Sequence, residues 1–147
     1  MDIITPTAFS AAHYEAVRRL LGQLTTRTIF FTEEDYRRQL ASPHSPLFLL
    51  LDGDTVIGML TVGIYLSPTG SKAWIEDVVV DNAYRGQGLG RMLVSHAIAY
   101  CKEQGIDTLM LTSNPKRIAA NALYQSLGFE RKETKVYRMK MGTDTHR

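Results

Sequence analysis

The sequence predicts a mixed α/β fold of the α+β kind, in which helices cover both faces of a mostly antiparallel central sheet. Three strand-like apolar runs between residues 47 and 80 are joined by connections too short for a crossover, so they should pair antiparallel. A helical segment then leads to another run at 106–112, so this strand and the strand at 72–80 should form one parallel pair that splays at its end. With 147 residues, a single domain spanning 1–147 is expected.

The elements before the central sheet are a short strand and two helices. Ile3 to Thr5 is strand-like and ends at a proline. Ala11 to Leu24 carries apolar residues at helical spacing, and Glu33 to Ala41 follows a capping threonine. The β-branched and aromatic stretch Thr26 to Phe31 is interpreted as a loop. The remaining elements are predicted as strands at 47–51, 55–66, 72–80, 106–112 and 130–141, and helices ending near Glu103 and Leu127.

The most informative stretch is a glycine-rich connection between the strand at 72–80 and the long helix that follows. Gly86, Gly88 and Gly90 alternate with other residues just where the helix begins. A strand, a glycine turn and a helix N-terminus together aim several unpaired backbone N–H groups at one point, which suits a phosphate or pyrophosphate. The dinucleotide-binding fingerprint requires glycine where this chain has Arg91, and the NTPase loop requires a Gly-Lys-Ser/Thr that is missing.

The turn sequence Arg85-Gly86-Gln87-Gly88-Leu89-Gly90 resembles the core motif of the GCN5-related N-acetyltransferase (GNAT) family at every fixed position. The segment from Ala120 to Phe129 is similar to the family's second cofactor-contacting segment, A-x-x-x-Tyr-x-x-x-Gly-Phe, and the predicted element order resembles the family over nearly the whole chain. The resemblance implies a GNAT-like fold and an acyltransferase that moves the acetyl group of acetyl-CoA to a primary amine, with no metal.

The resemblance also implies which residues hold acetyl-CoA. Backbone groups of the strand end would pair with the pantetheine arm, and turn amides would hold the pyrophosphate. Many members carry asparagine seven residues before the tyrosine, where this chain has Arg117, so two nearby asparagines are alternatives. The predicted cofactor-binding residues are Val78, Val79, Val80, Arg85, Gly86, Gln87, Gly88, Leu89, Gly90, Arg91, Asn114, Asn121 and Tyr124.

Two residues are predicted to be catalytic. Glu76 is the candidate base, acting through a water, because a carboxylate among apolar neighbours has a raised pKa. Regular strand alternation would place Glu76 on one face with Trp74 and Val78, and Asp77, the alternative base, on the other face with Ile75 and Val79. By the family match, Tyr124 is the candidate acid for the leaving thiolate.

The acceptor amine is not identified by any motif. The first two helices should build the acceptor side, and Arg27, Glu33 and Tyr36 are the predicted substrate contacts. A small-molecule amine, an amino-sugar phosphate and a protein amine all remain open. A binding module that senses acyl-CoA without turnover is the alternative from another class.

The composition of the chain limits which classes of partner and which cellular location are expected. A net charge of +2 from scattered basic residues predicts no nucleic-acid partner, and no apolar run is long enough to span a membrane. The single cysteine, Cys101, fits a reducing compartment and a cytoplasmic location, as does an N-terminus without a signal-peptide pattern. The dispersed histidines show no zinc-ligand spacing. A homodimer is left open.

Overall fold

The computed structural model describes residues 1–142, which fall into two compact units, Met1–Leu111 and the residues from Thr112 onward. That residues 1–147 form a single domain stays a prediction. The elements are β1 (Asp2–Ile4), α1 (Ala11–Leu24), α2 (Glu33–Ala41), β2 (Leu47–Asp52), β3 (Thr55–Ser67), β4 (Gly70–Val80), a 3-10 turn (Asn82–Tyr84), α3 (Leu89–Glu103), β5 (Thr108–Met110) and α4 (Ile118–Ser126).

The first unit contains a five-stranded sheet in the order β1-β2-β3-β4-β5. The first four strands pair antiparallel, and β4 pairs with β5 in parallel. The predicted fold class is therefore confirmed. The parallel ladder joins residues 72–74 to residues 108–110 and ends there, whereas β4 continues to Val80.

Helices cover both faces of this sheet, as predicted. On one face, Tyr14 and Leu20 of α1 and Tyr36 of α2 pack with Leu49 and Met59 in one buried cluster. On the other face, α3 lies against β3 and β4 and also reaches Phe48 of β2. The Phe48 ring contacts the rings of His96 and Tyr100, at 4.7 and 5.2 Å between centroids. Burial of each large apolar side chain in this way stabilises the folded state by about 1.5–3 kcal/mol.

The first two helices begin and end where the sequence predicts. Ser10 caps α1, since its hydroxyl accepts the His13 N–H. Thr32 and Asp35 form a reciprocal capping box at the start of α2, with both bonds at 3.1 Å. Such caps satisfy backbone donors that a helix start otherwise leaves unpaired.

The strand predicted at 130–141 is not formed. Residues 129–142 contain no strand, and Val136, Tyr137 and Met139 are 73–88% exposed. The alternation of apolar residues indicates only that a segment can pair, whereas a strand also requires a hydrogen-bonded neighbour. No described residue supplies that neighbour, so the prediction was wrong for this structure.

Among residues 1–142, none of the helices has both the length and the apolar composition needed to cross a membrane.

Candidate active site

A β-bulge reshapes β4 at the two candidate acids. Thr61 of β3 pairs with Glu76, but Met59, two residues earlier, pairs with Val79, three residues later. The extra residue falls at 77–78, and Asp77 has φ of 52°, the only positive φ of a non-glycine residue between 1 and 142. A bulge of this kind interrupts the alternation of side chains along a strand.

The bulge changes which residues share a face with the candidate base. Residues opposite one another in an antiparallel pair project to the same side, so Glu76 lies with Thr61, and Val79 lies with Met59. Val79 and Met59 belong to the cluster beneath α1 and α2. The prediction that Glu76 would share a face with Val78, and Asp77 with Val79, was therefore wrong, because an extra residue reverses the alternation.

Glu76 consequently belongs to the sheet face covered by the first two helices. Its cross-strand partner Thr61 accepts a hydrogen bond through Oγ1 from Gln39 Nε2 of α2, at 2.9 Å. This contact places the middle of β4 beside α2. A substrate that approaches Glu76 on this face would pass next to α2, which is where the acceptor side was expected.

Both acids have raised pKa values, although both side chains reach solvent. Partial burial, with a smaller contribution from the charge of Asp77, raises the pKa of Glu76 above its ordinary value. Desolvation alone raises the pKa of Asp77. Because solvent screens exposed charges, these shifts are modest in energy. Their direction nevertheless suits a base that exchanges protons nearer to neutral pH.

The glycine turn presents backbone donors at the start of α3. Gly88 is the N-cap of α3 in the left-handed conformation, with φ of 73°, and no side chain caps the helix there. The first helical bond runs from the Met92 N–H to the Gly88 carbonyl, at 3.1 Å. The backbone N–H groups of residues 87–90 therefore have no acceptor within 1–142. Together with the helix dipole, they form a site suited to an anion.

Space is open beside this turn. Gly86 also has a positive φ, 80°, and a Cβ added at Gly86 or at Gly88 would meet no atom within 4 Å. Glycine is needed at Gly88 for its backbone conformation, and the open space lets a ligand approach the backbone closely.

The end of β4 has an unpaired edge next to the turn. Beyond Trp74, the last residue paired with β5, the side of β4 that faces away from β3 has no strand partner among residues 1–142. Val78, Val79 and Val80 lie on this stretch, and the Arg85 Nε donates to the Val80 carbonyl at 3.5 Å. An extended chain with amide groups could pair with this edge as a strand would.

A polar cluster that sequence patterns did not reveal anchors the turn to α1. The Arg19 guanidinium contacts the Asp81 carboxylate, and a second Arg19 nitrogen donates to the Val56 carbonyl at 2.8 Å. The Ala83 N–H and then Arg19 lower the pKa of Asp81. Gln23 accepts the Asn82 N–H at 2.8 Å. These residues are far apart in sequence and lie off the apolar stripe of α1, so periodicity gave no signal for them.

The second unit holds the remaining predicted residues. Asn121 Nδ2 donates to the carbonyls of Asn114 and Arg117, at 2.9 and 2.7 Å, and so holds the turn before α4. Asn114 accepts the Lys116 N–H through Oδ1 at 2.9 Å, and its side-chain amide nitrogen has no partner among the described residues. Tyr124 is buried and packs edge-to-face on Phe129, at 6.2 Å between ring centroids.

Of the three predicted acceptor contacts, one is buried in this structure and two are exposed. Tyr36 is 0% exposed in this structure and packs among Phe9, Tyr14 and Phe31, and this burial raises its pKa. The sequence alone could not show that three aromatic rings from other segments surround Tyr36. Glu33 is exposed in the first turn of α2, and Arg27 is exposed and lines a cavity.

The described part of the chain brings together no group of three or more His, Cys, Asp or Glu that could hold a metal ion. Cys101 is buried on α3, and burial raises the pKa of its thiol, as expected for a small packing residue.

The chain is similar in sequence to known acetyltransferases and similar in fold to a solved structure. Mycothiol acetyltransferase of Thermobispora bispora is 33% identical over 107 residues, which cover 69% of this chain but 36% of that protein. The chain therefore matches only about a third of that relative's length. The N-alpha-acetyltransferase RimI of Mycobacterium tuberculosis is 27% identical, and the aligned region covers 87% of this chain and 79% of the RimI chain. A putative acetyltransferase from Agrobacterium tumefaciens has the same fold, with a TM-score of 0.83 at 23% identity over 95% of this chain and 100% of its own.

The match to a family model is more extensive than that to the first relative. The model described as "Acetyltransferase (GNAT) family" matches residues 14–129, a range that includes β4, the glycine turn and α4. Because this match covers most of the sequence, the chain belongs to the GNAT acetyltransferase family.

Proposed function

We propose that this protein transfers the acetyl group of acetyl-CoA to a primary amine, by direct attack of the amine on the thioester within a ternary complex. The observation that carries the proposal is the glycine turn, whose unpaired amides at the start of α3 lie beside the unpaired edge of β4. These two features fit the two parts of the cofactor, an anionic pyrophosphate and an extended arm with amide groups.

The residues that would hold acetyl-CoA follow from this fit. Amides of residues 87–91 take the pyrophosphate, and the backbone of Val78 to Val80 pairs with the pantetheine arm. Arg85, already at the Val80 carbonyl, adds a positive charge near the phosphates. Asn114 is the better of the two asparagine candidates, because the side-chain NH₂ of Asn121 is already bonded to two carbonyls.

The chemistry requires two protons to leave the ammonium nitrogen, one before and one after it attacks, and one proton to reach the sulfur. Glu76 removes the ammonium proton through a water, on the face of the sheet covered by α1 and α2. The free amine then attacks the carbonyl carbon, and a backbone N–H near Val79 stabilises the charge that develops on oxygen. As the carbon–sulfur bond breaks, Tyr124 donates its phenolic proton to the departing thiolate. The second proton, lost by the acylated nitrogen, returns through water to the tyrosinate.

The acceptor class is proposed more broadly. The mycobacterial relative is named for N-alpha acetylation, which favours a protein or peptide amine as the acceptor. A small-molecule primary amine is the alternative acceptor, because it attacks through the same kind of nitrogen. A panel of peptides, amino sugars and small amines, incubated with acetyl-CoA and followed by thiol release, tests the proposal. Release that depends on one amine class supports it. If acetyl-CoA binds but no amine in the panel leads to release of the CoA thiol, the result would instead support an acyl-CoA sensor.

A further inference from the structure

A cavity of about 450 Å³ lies between α1 and the loop that follows it. Arg18 and Arg19 line it from the helix, and Arg27 lines it from the loop. Ile29 and Phe31 form an apolar wall, and Glu15 is the acid in the lining. The cavity therefore combines a cationic side with an apolar side.

The three arginines differ in how far their charges are already used. Arg19 is committed to Asp81 and to the Val56 carbonyl. Arg18 lies 3.4 Å from Glu15, but more than half of each side chain is exposed, so this pair is weak. The Arg27 guanidinium has no hydrogen-bond or ion-pair partner within residues 1–142. A planar guanidinium of this kind binds carboxylate or phosphate through two parallel hydrogen bonds.

The cavity is joined to the candidate active site through one of its own residues. Arg19 lines the cavity and also contacts Asp81, the residue directly after β4. The helix α1 covers the same face of the sheet as Glu76. Arg19 therefore connects the lining of the cavity to the end of β4, the strand that carries Glu76.

Building on the proposed function, we propose that this cavity binds a carboxylate or phosphate carried by the acceptor, so that the enzyme prefers anionic amines. Arg27 is the principal contact, and Arg18 turns from Glu15 to the ligand when the anion is present. The apolar wall of Ile29 and Phe31 packs against the carbon skeleton that joins the amine to the anion.

The test compares acceptors in matched pairs that differ only in charge. Glucosamine 6-phosphate is compared with glucosamine, and the peptide amide Ala-Glu-Glu-Ala with Ala-Gln-Gln-Ala. Binding to the CoA-saturated protein is measured by calorimetry, and turnover with acetyl-CoA by thiol release. We expect the anionic member of at least one pair to bind at least about tenfold more tightly, which is the scale of one charge-assisted contact at an accessible site.

Variants assign this preference to the cavity. Arg27→Gln should abolish the preference, and Arg27→Lys should keep part of it because the charge remains without the planar fork. Arg38→Gln is the matched control, since it removes an exposed arginine of α2 that does not line the cavity. It should leave the preference unchanged.

Two results would overturn the inference. One is equal binding of charged and neutral members in every pair. The other is a loss of CoA affinity in Arg27→Gln that disappears when 3′-dephospho-CoA is used, because the cavity would then serve the cofactor's phosphate. If charge preference appears in binding but no amine is acetylated, the proposed function fails while the anion site stands.

Discussion

Replacing Gly88 by alanine tests the phosphate site at its most constrained residue. Gly88 has φ of 73°, and a left-handed residue with a Cβ costs about 1–2 kcal/mol. The alanine also restricts the unfolded chain, which returns about 0.4–1 kcal/mol. We therefore expect the free energy of unfolding to fall by about 1 kcal/mol, with the fold intact.

The effect on the cofactor should be larger than this strain. A Cβ at Gly88 projects into space that is empty in the protein, and a pyrophosphate bound to the turn amides would occupy that space. We expect affinity for acetyl-CoA, measured by calorimetry, to fall at least about tenfold, or about 1.4 kcal/mol.

Gly53 provides the matched control. It lies in the β2–β3 turn with φ of 59°, and a Cβ there would also meet no atom within 4 Å. Gly53→Ala should therefore lose a similar amount of stability, measured by denaturant unfolding, without losing affinity. Unchanged acetyl-CoA affinity in folded Gly88→Ala would refute the assignment of the phosphate site. An equal loss of affinity in both variants would attribute the effect to stability alone.

Three further predictions concern the proton-transfer groups. Glu76→Gln should lower turnover by about 100-fold or more and flatten the rise of turnover with pH, because a base of raised pKa must be ionised to act. A pH–rate profile checks this, and a profile like that of the unmodified protein would exclude Glu76 as the base. Asp77→Asn should keep most turnover and raise stability at neutral pH, because the folded state disfavours the Asp77 carboxylate. This gain should vanish below about pH 3.8, the ordinary pKa of aspartate, and a gain that persists in thermal unfolding at acid pH would contradict this cause. Tyr124→Phe should lower turnover by about 10- to 1000-fold with near-normal acetyl-CoA affinity by calorimetry, and unchanged turnover would leave Tyr124 as a packing residue.

The sequence was most informative where local chemistry decides the structure. The starts of α1 and α2 were predictable because Ser10 and Thr32 are capping residues, and α1 also carries an apolar stripe. The antiparallel meander followed from short connections, and the glycine turn from three alternating glycines. In each case the residues that determine the element are neighbours in sequence.

The remaining features depend on contacts between distant residues. The bulge at Asp77 is set by pairing with β3, and its one sequence sign is an aspartate, a residue that tolerates positive φ, within a β-branched run. The burial of Tyr36 depends on rings from two other segments. The cluster of Arg19 and Asp81 joins residues 62 positions apart. The residues in these contacts are not spaced at a helical or strand period, so periodicity in the sequence could not reveal them.

If the glycine turn and the open edge of β4 form a site for acetyl-CoA, the protein should distinguish CoA compounds from other nucleotides. Calorimetry of the unmodified protein with acetyl-CoA, CoA, NAD and ATP measures this difference. We expect tight binding of acetyl-CoA and CoA and much weaker binding of NAD and ATP, because the arm that pairs with β4 is present only in the first two. Binding of NAD or ATP as tight as that of acetyl-CoA would contradict it.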